Sequence, residues 1–254
     1  MTDSVLLDLP RDTIDALLLP VPVLTLNGFF PFWTSKAYHG LTELRLSGKS
    51  LTGLISEPTV SAILKSSPHL RVLKFDLSMN TDFDFTVDNN PPELVPISPA
   101  PLKDLEVLIV GLVREDSLTR FLRLVAPGPK PLTLTPHCAV EPLHFSHSEI
   151  QKFFSRSNVV SLCTSRFSGL EQVSELLSLA PSPQVLALHH FSAEIGYDGE
   201  GEALETTFTL PDTNVRLILY TSWIVGNTTR VISRTSWTSL KRTMFRRLLL
   251  GVVI

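Results

Sequence analysis

The chain has 254 residues, 43% of them hydrophobic and 19% charged, with a net charge of −3. It can bury a core, so it is no disordered polymer, and its slightly acidic balance excludes a generic nucleic-acid binder. Cys138 and Cys163 alone cannot staple a disulfide scaffold. No apolar run approaches the roughly 20 residues that cross a bilayer, and no signal peptide is expected, since the first residues lack a basic region followed by an apolar stretch. The expected setting is intracellular, cytoplasmic or nuclear.

Leucine supplies 43 residues, and their spacing organises the reading. Residues 1–20 read as an N-terminal helical cap segment, with Leu9-Pro10 leading into Ile14, Leu17 and Leu18. The phrase L-x-x-L-x-L then begins. Val21, Leu24 and Leu26 fit it, as do Leu41, Leu44 and Leu46, then Leu70, Leu73 and Phe75, then Leu105, Leu108 and Val110. Weaker fits stand at Leu132 and Leu134 and at Val159 and Leu162. Pro183, Leu186 and Leu188 fit again, followed by Val215, Ile218 and Tyr220, and a doubtful copy ends at Phe245. The final anchors recur every 27 residues on average, inside the roughly 20–29 of leucine-rich repeats.

The alternation at each anchor predicts a strand with one apolar face. Helical spacing fills the intervals: Val60, Ile63 and Leu64; Leu118, Phe121, Leu122 and Val125; Ile150, Phe153 and Phe154; Val173, Leu176 and Leu177. Ser67-Pro68, Ala126-Pro127 and Ala180-Pro181 read as helix stops, because the residue before a proline disfavours helical angles. The unit is strand, loop, helix, proline, next strand. The fold expected is α/β: an irregular leucine-rich repeat solenoid of parallel strands alternating with short helices, over residues 21–227. One unit cannot cover its own apolar face, whereas stacked units share a core. The competing fold is a doubly wound sheet, distinguished by a crossover in strand order. No phosphate-binding glycine motif follows any strand.

Two segments interrupt the array. Residues 79–101 carry Asp82, Asp84 and Asp88 with Pro91, Pro92, Pro96, Pro99 and Pro101, and read as an inserted loop. Residues 193–212 carry Glu194, Asp198, Glu200, Glu202, Glu205 and Asp212. Residues 228–254 hold six basic residues and no acid, and read as a terminal repeat or basic tail.

The chain offers little chemistry. No G-x-S-x-G elbow occurs, so no catalytic residue is expected. His137, Cys138, His144 and His147 lack the paired cysteines and defined fourth ligand of a zinc site. Neither cofactor nor metal is expected, and the chain is read as non-catalytic. The sheet face opposite the core remains. Its alternate positions are expected to be Glu43 and Arg45, Lys74 and Asp76, Val107 and Ile109, Val185 and His189, and Leu217 and Leu219. This gives a charged N-terminal half and an aliphatic C-terminal half, with Arg45 and Lys74 placed to meet acidic side chains of a protein target.

Ile63-Leu64-Lys65-Ser66-Ser67-Pro68 precedes Leu70-Arg71-Val72-Leu73-Lys74-Phe75, and the phrase returns between Leu176 and Leu188. This phrasing resembles the repeat region of fungal F-box proteins with leucine-rich repeats, over roughly residues 20–221. The resemblance implies a repeat arc that holds a substrate for a cullin-based ubiquitin ligase. The family's F-box is a domain of about three helices that docks on the ligase adaptor. Leu9-Pro10 and its apolar helix are similar to the start of that domain, but the first strand follows by about Val21. An F-box is therefore expected to be absent here or to lie outside this chain, and the adaptor is an expected partner only with an F-box upstream. Leu41 to Ile55 is also similar to the plant-type repeat, with Lys49 in place of its asparagine.

Overall fold

The computed structural model describes residues 10–48, 55–79, 97–113, 115–138, 148–165, 170–180, 183–189, 216–220, 222–225, 228–231 and 235–237. The chain is α/β. Helix α1 (Arg11–Leu18) lies within the expected cap segment. Strands β1 (Val23–Asn27), β2 (Glu43–Ser47) and β3 (Val72–Asp76) follow, with α2 (Glu57–Ser66) between the last two. Then come β4 (Ala100–Leu102), β5 (Val107–Val113), α3 (Glu115–Arg123), β6 (Val125–Pro127) and β7 (Leu132–Cys138). Next are α4 (Ser148–Ser155), β8 (Val159–Ser165), α5 (Leu170–Leu179), β9 (Val185–His189) and β10 (Arg216–Tyr220). The last described strands are β11 (Ser222–Val225), β12 (Thr228–Val231) and β13 (Thr235–Trp237).

One nine-stranded sheet runs β1-β2-β3-β5-β7-β8-β9-β10-β13. Every neighbouring pair from β1 to β10 is parallel, and β13 closes the order antiparallel to β10. The strands therefore follow chain order without a crossover. Their register aligns the leucine phrase across the sheet. Leu24, Leu44, Leu73, Leu108, Leu134, Leu162 and Leu186 form one continuous row, and each is at most 5% exposed. A fully buried leucine is worth about 1.5–3 kcal/mol, so this row is a main source of stability.

The join between units is itself repeated. The Pro22 carbonyl accepts from the Thr42 and Glu43 amides at 2.8 and 3.2 Å. The Thr42 carbonyl accepts from Arg71 and Val72 at 2.8 and 3.2 Å, and the Arg71 carbonyl from Glu106 and Val107 at 2.9 and 3.0 Å. Each carbonyl before a strand thus holds the start of the next strand.

The helices cover the leucine side. Val60, Ile63, Leu64, Leu118, Phe121, Leu122, Ile150, Phe153, Phe154, Leu176 and Leu177 are all buried in the core. Phe75 of β3 stacks on Phe121 of α3, ring centroids 4.5 Å apart. Ser56 caps α2, its hydroxyl accepting from the Thr59 amide, and Pro68 follows that helix as the sequence suggests.

Two boundaries differ from the sequence reading. Val125 is buried, but it lies in β6, which pairs parallel with β4, and α3 stops at Arg123. The Arg156 guanidinium donates to the Leu122 carbonyl at 2.8 Å and to the Val125 carbonyl at 3.0 Å. The Leu122 carbonyl would otherwise be orphaned at the helix end. The stretch read as the insertion 79–101 ends inside β4, at Ala100 and Pro101. The copy ending at Phe245 and the acidic segment 193–212 lie outside the described residues. Among the described residues no helix is long and apolar enough to cross a membrane.

Candidate interaction surface

On the sheet face opposite the leucine row, Glu43, Arg45, Lys74, Val107 and Ile109 stand at alternate positions of β2, β3 and β5. Alternation puts Glu43 and Arg45 of β2 on it, and the two form an ion pair with side chains 23% and 39% exposed. In register with them stand Val72 and Lys74 of β3, then Val107 and Ile109 of β5, then Thr133 and Thr135 of β7. All six are half-buried. Further along, Ser161 and Cys163 of β8 align with Val185 and Ala187 of β9. The face thus passes from charged, through aliphatic, to small side chains. Thr133 and Thr135 are absent from the sequence-based set, although the alternation Leu132-Thr133-Leu134-Thr135 signals them.

Asp76 occupies the row nearest the carboxyl ends of the strands, in register with Ser47. Its carboxylate fills the space over Gly111: a Cβ at 111 would lie 2.5 Å from Asp76 Cγ. Asp76 Oδ1 is buried without a hydrogen-bond partner among the described residues. Gly111 is buried, and its lack of a side chain leaves room for that carboxylate.

His189 ends the corresponding row of β9 and pairs with Tyr220. The register sets Leu217 against Leu186 and Leu219 against Leu188. Arg216, Ile218 and Tyr220 instead continue the rows of Val185, Ala187 and His189. A one-residue slip exchanges the two faces of a strand, and nothing in Arg-Leu-Ile-Leu-Tyr marks its parity.

A charge ladder runs along the amino-terminal edge of the strands. Asp104 lies 3.0 Å from His69 Nδ1 and 3.0 Å from Lys130 Nζ. Glu106 lies 2.9 Å from Arg71 and 3.3 Å from Lys130. The hydrogen bond to His69, then that to Lys130, holds Asp104 below the usual carboxylate range. Arg71, then Lys130, does the same for Glu106.

Reactive chemistry is sparse. Burial pushes the Cys163 thiol up, which keeps it protonated and a poor nucleophile. His137 and Cys138 lie on β7, while His144 and His147 fall outside the described residues. Among the described residues no three His, Cys, Asp or Glu side chains are grouped to hold a metal ion. On the helix side a cleft of about 310 Å³ lies between residues 33–39 and α2, lined by Trp33, Tyr38, His39, Pro58, Ile63 and Ser66 among others.

No family model matches the chain, and no curated protein or solved structure is similar enough to count as a match.

Proposed function

We propose that the chain is an irregular leucine-rich repeat solenoid and works as a non-catalytic protein-interaction module, its sheet face being the binding surface. The observation that carries this reading is the single-file strand order, in which one leucine row and one carbonyl-to-amide join recur from unit to unit. Stacked repeats of this kind bind partners on the side their helices leave open. The half-exposed side chains of β2, β3 and β5 supply both charged and apolar contact there. The mechanism is geometric: a rigid sheet presents fixed side chains to a target, with no bond made or broken.

The more specific role is substrate recognition in an F-box-type ubiquitin ligase, and its support is the leucine and proline phrasing of residues 63–75 and 176–188. The test is affinity capture of the tagged chain from its native cell extract, with and without the genomic sequence upstream. Recovery of the cullin adaptor with the extended form supports the ligase role. Capture of targets without any ligase component leaves a repeat scaffold whose phrasing is shared with that family but whose role is not.

A further inference from the structure

Arg45 and Lys74 are direct partners in the β2–β3 register. Neighbouring strands lie about 4.8 Å apart, so two cations stand side by side on one face. Like charges placed directly opposite across strands are destabilising. Glu43 engages Arg45. Lys74 has no ion-pair or hydrogen-bond partner among the described residues, and Asp76, two residues along the same strand, has its carboxylate over Gly111. Glu43 offsets Arg45, and Lys74 is the cation of this station without a paired carboxylate among the described residues. Beside it lies an apolar shelf: Ile109 is the register partner of Lys74, and Val72 pairs with Val107 in the adjacent row.

Resting on the interaction-face reading, we propose that this surface takes an extended protein segment in which a single carboxylate is followed by aliphatic side chains. The carboxylate docks between Arg45 and Lys74, and the aliphatic groups lie on Val72, Val107 and Ile109. The unpaired Lys74 ammonium suits a single carboxylate, whereas a doubly charged phosphate would meet both Glu43 and Asp76. Charge complementarity sets the position of the segment, and apolar contact supplies its area.

The probe is a fluorescein-labelled peptide of about ten residues centred on Asp-Val-Leu-Val, titrated with the full chain by fluorescence anisotropy. Its counterparts carry Lys for Asp, or Ser for the three aliphatic residues. The Asp peptide is expected to bind at least roughly tenfold more tightly than either counterpart. Lys74→Glu should weaken the Asp peptide by roughly tenfold and strengthen the Lys peptide, an exchange that misfolding cannot produce. Equal affinities for all three peptides, no binding up to about 1 mM, or indifference of the Asp peptide to Lys74→Glu would each overturn the inference. If Ile109→Asp abolishes capture of native partners while Lys74→Glu changes nothing, the face is an interaction surface and only the carboxylate anchor is wrong. If neither variant changes capture, both readings fail.

Discussion

Glu57, the first residue of α2, forms an ion pair with Arg123, in the last turn of α3. Glu57 is only 4% exposed, and a second arginine of α3, Arg120, pairs with its other carboxylate oxygen. The contact ties together two helices that flank β3, β4 and β5 in the chain. Replacing Glu57 by Ala would leave Arg123, its side chain only 15% exposed, with its charge unmatched. The expected loss is about 3–5 kcal/mol, read as a lower urea midpoint with an unchanged slope. A loss below about 1 kcal/mol would show that water reaches the pair freely.

The turn after β6 depends on a missing side chain. A Cβ at Gly128 would run into the Lys103 backbone, with Lys103 Cα only 2.7 Å away. The Gly128 amide also donates to the Leu102 carbonyl at 3.2 Å, at the end of the β4–β6 pair. Backbone cannot move aside as a flexible side chain can. Gly128→Ala is therefore expected to cost about 2 kcal/mol or more, measured by thermal or urea unfolding, whereas Gly→Ala at an unstrained site stabilises slightly.

Ser67 is 1% exposed and serves two backbone groups. Its hydroxyl donates to the Tyr38 carbonyl at 2.7 Å and accepts from the Leu41 amide at 3.0 Å. Ser66 also donates to the Tyr38 carbonyl, so the carbonyl keeps a partner if Ser67 is lost, but the buried Leu41 amide does not. Ser67→Ala should cost about 1–3 kcal/mol, and Ser66→Ala less. The order of the two midpoints in urea decides the point.

These contacts separate what the sequence makes legible from what it hides. Glu-Leu-Arg-Leu-Ser and Val-Leu-Lys-Phe-Asp alternate apolar with polar or smaller residues, so the faces of β2 and β3 can be read directly. Arg-Leu-Ile-Leu-Tyr offers apolar residues to both sides, and the parity of β10 follows only from its register with β9. The buried state of Val125 was visible in the helical spacing, but its strand conformation was not. The strand is defined by partners remote in sequence: Val125 pairs with Ala100 of β4, and Arg156, 31 residues later, donates to its carbonyl. Gly111 was equally silent, since its contribution is the room it leaves for Asp76.

The ladder on the strand edges predicts an acid-side dependence. Asp104 and Glu106 lose their protons more readily than their ordinary values of 3.8 and 4.5. Folding therefore gains from their ionised forms above those ordinary values, and the gain disappears as pH falls through the lowered ones. Melting temperature should drop as pH is taken from about 5 to about 2.5. Lys130→Ala, which removes a donor from both carboxylates, should flatten that drop. Both carboxylates are partly exposed, so the effect should be small and should shrink in salt. A pH profile identical in Lys130→Ala would contradict the assignment.

The central claim is that the sheet face formed by β2, β3 and β5 is where this protein holds its partners. The most direct test is quantitative capture from native extract with the full chain and a variant carrying Arg45→Glu, Lys74→Glu and Ile109→Asp. Circular dichroism and urea unfolding of the purified proteins run alongside, to show that the variant keeps its fold. The account predicts that specific partners are lost at least about tenfold while the unfolding midpoint of the variant stays within about 1 kcal/mol of the parent. An unchanged partner list from a folded variant would contradict it and move the binding surface elsewhere on the molecule.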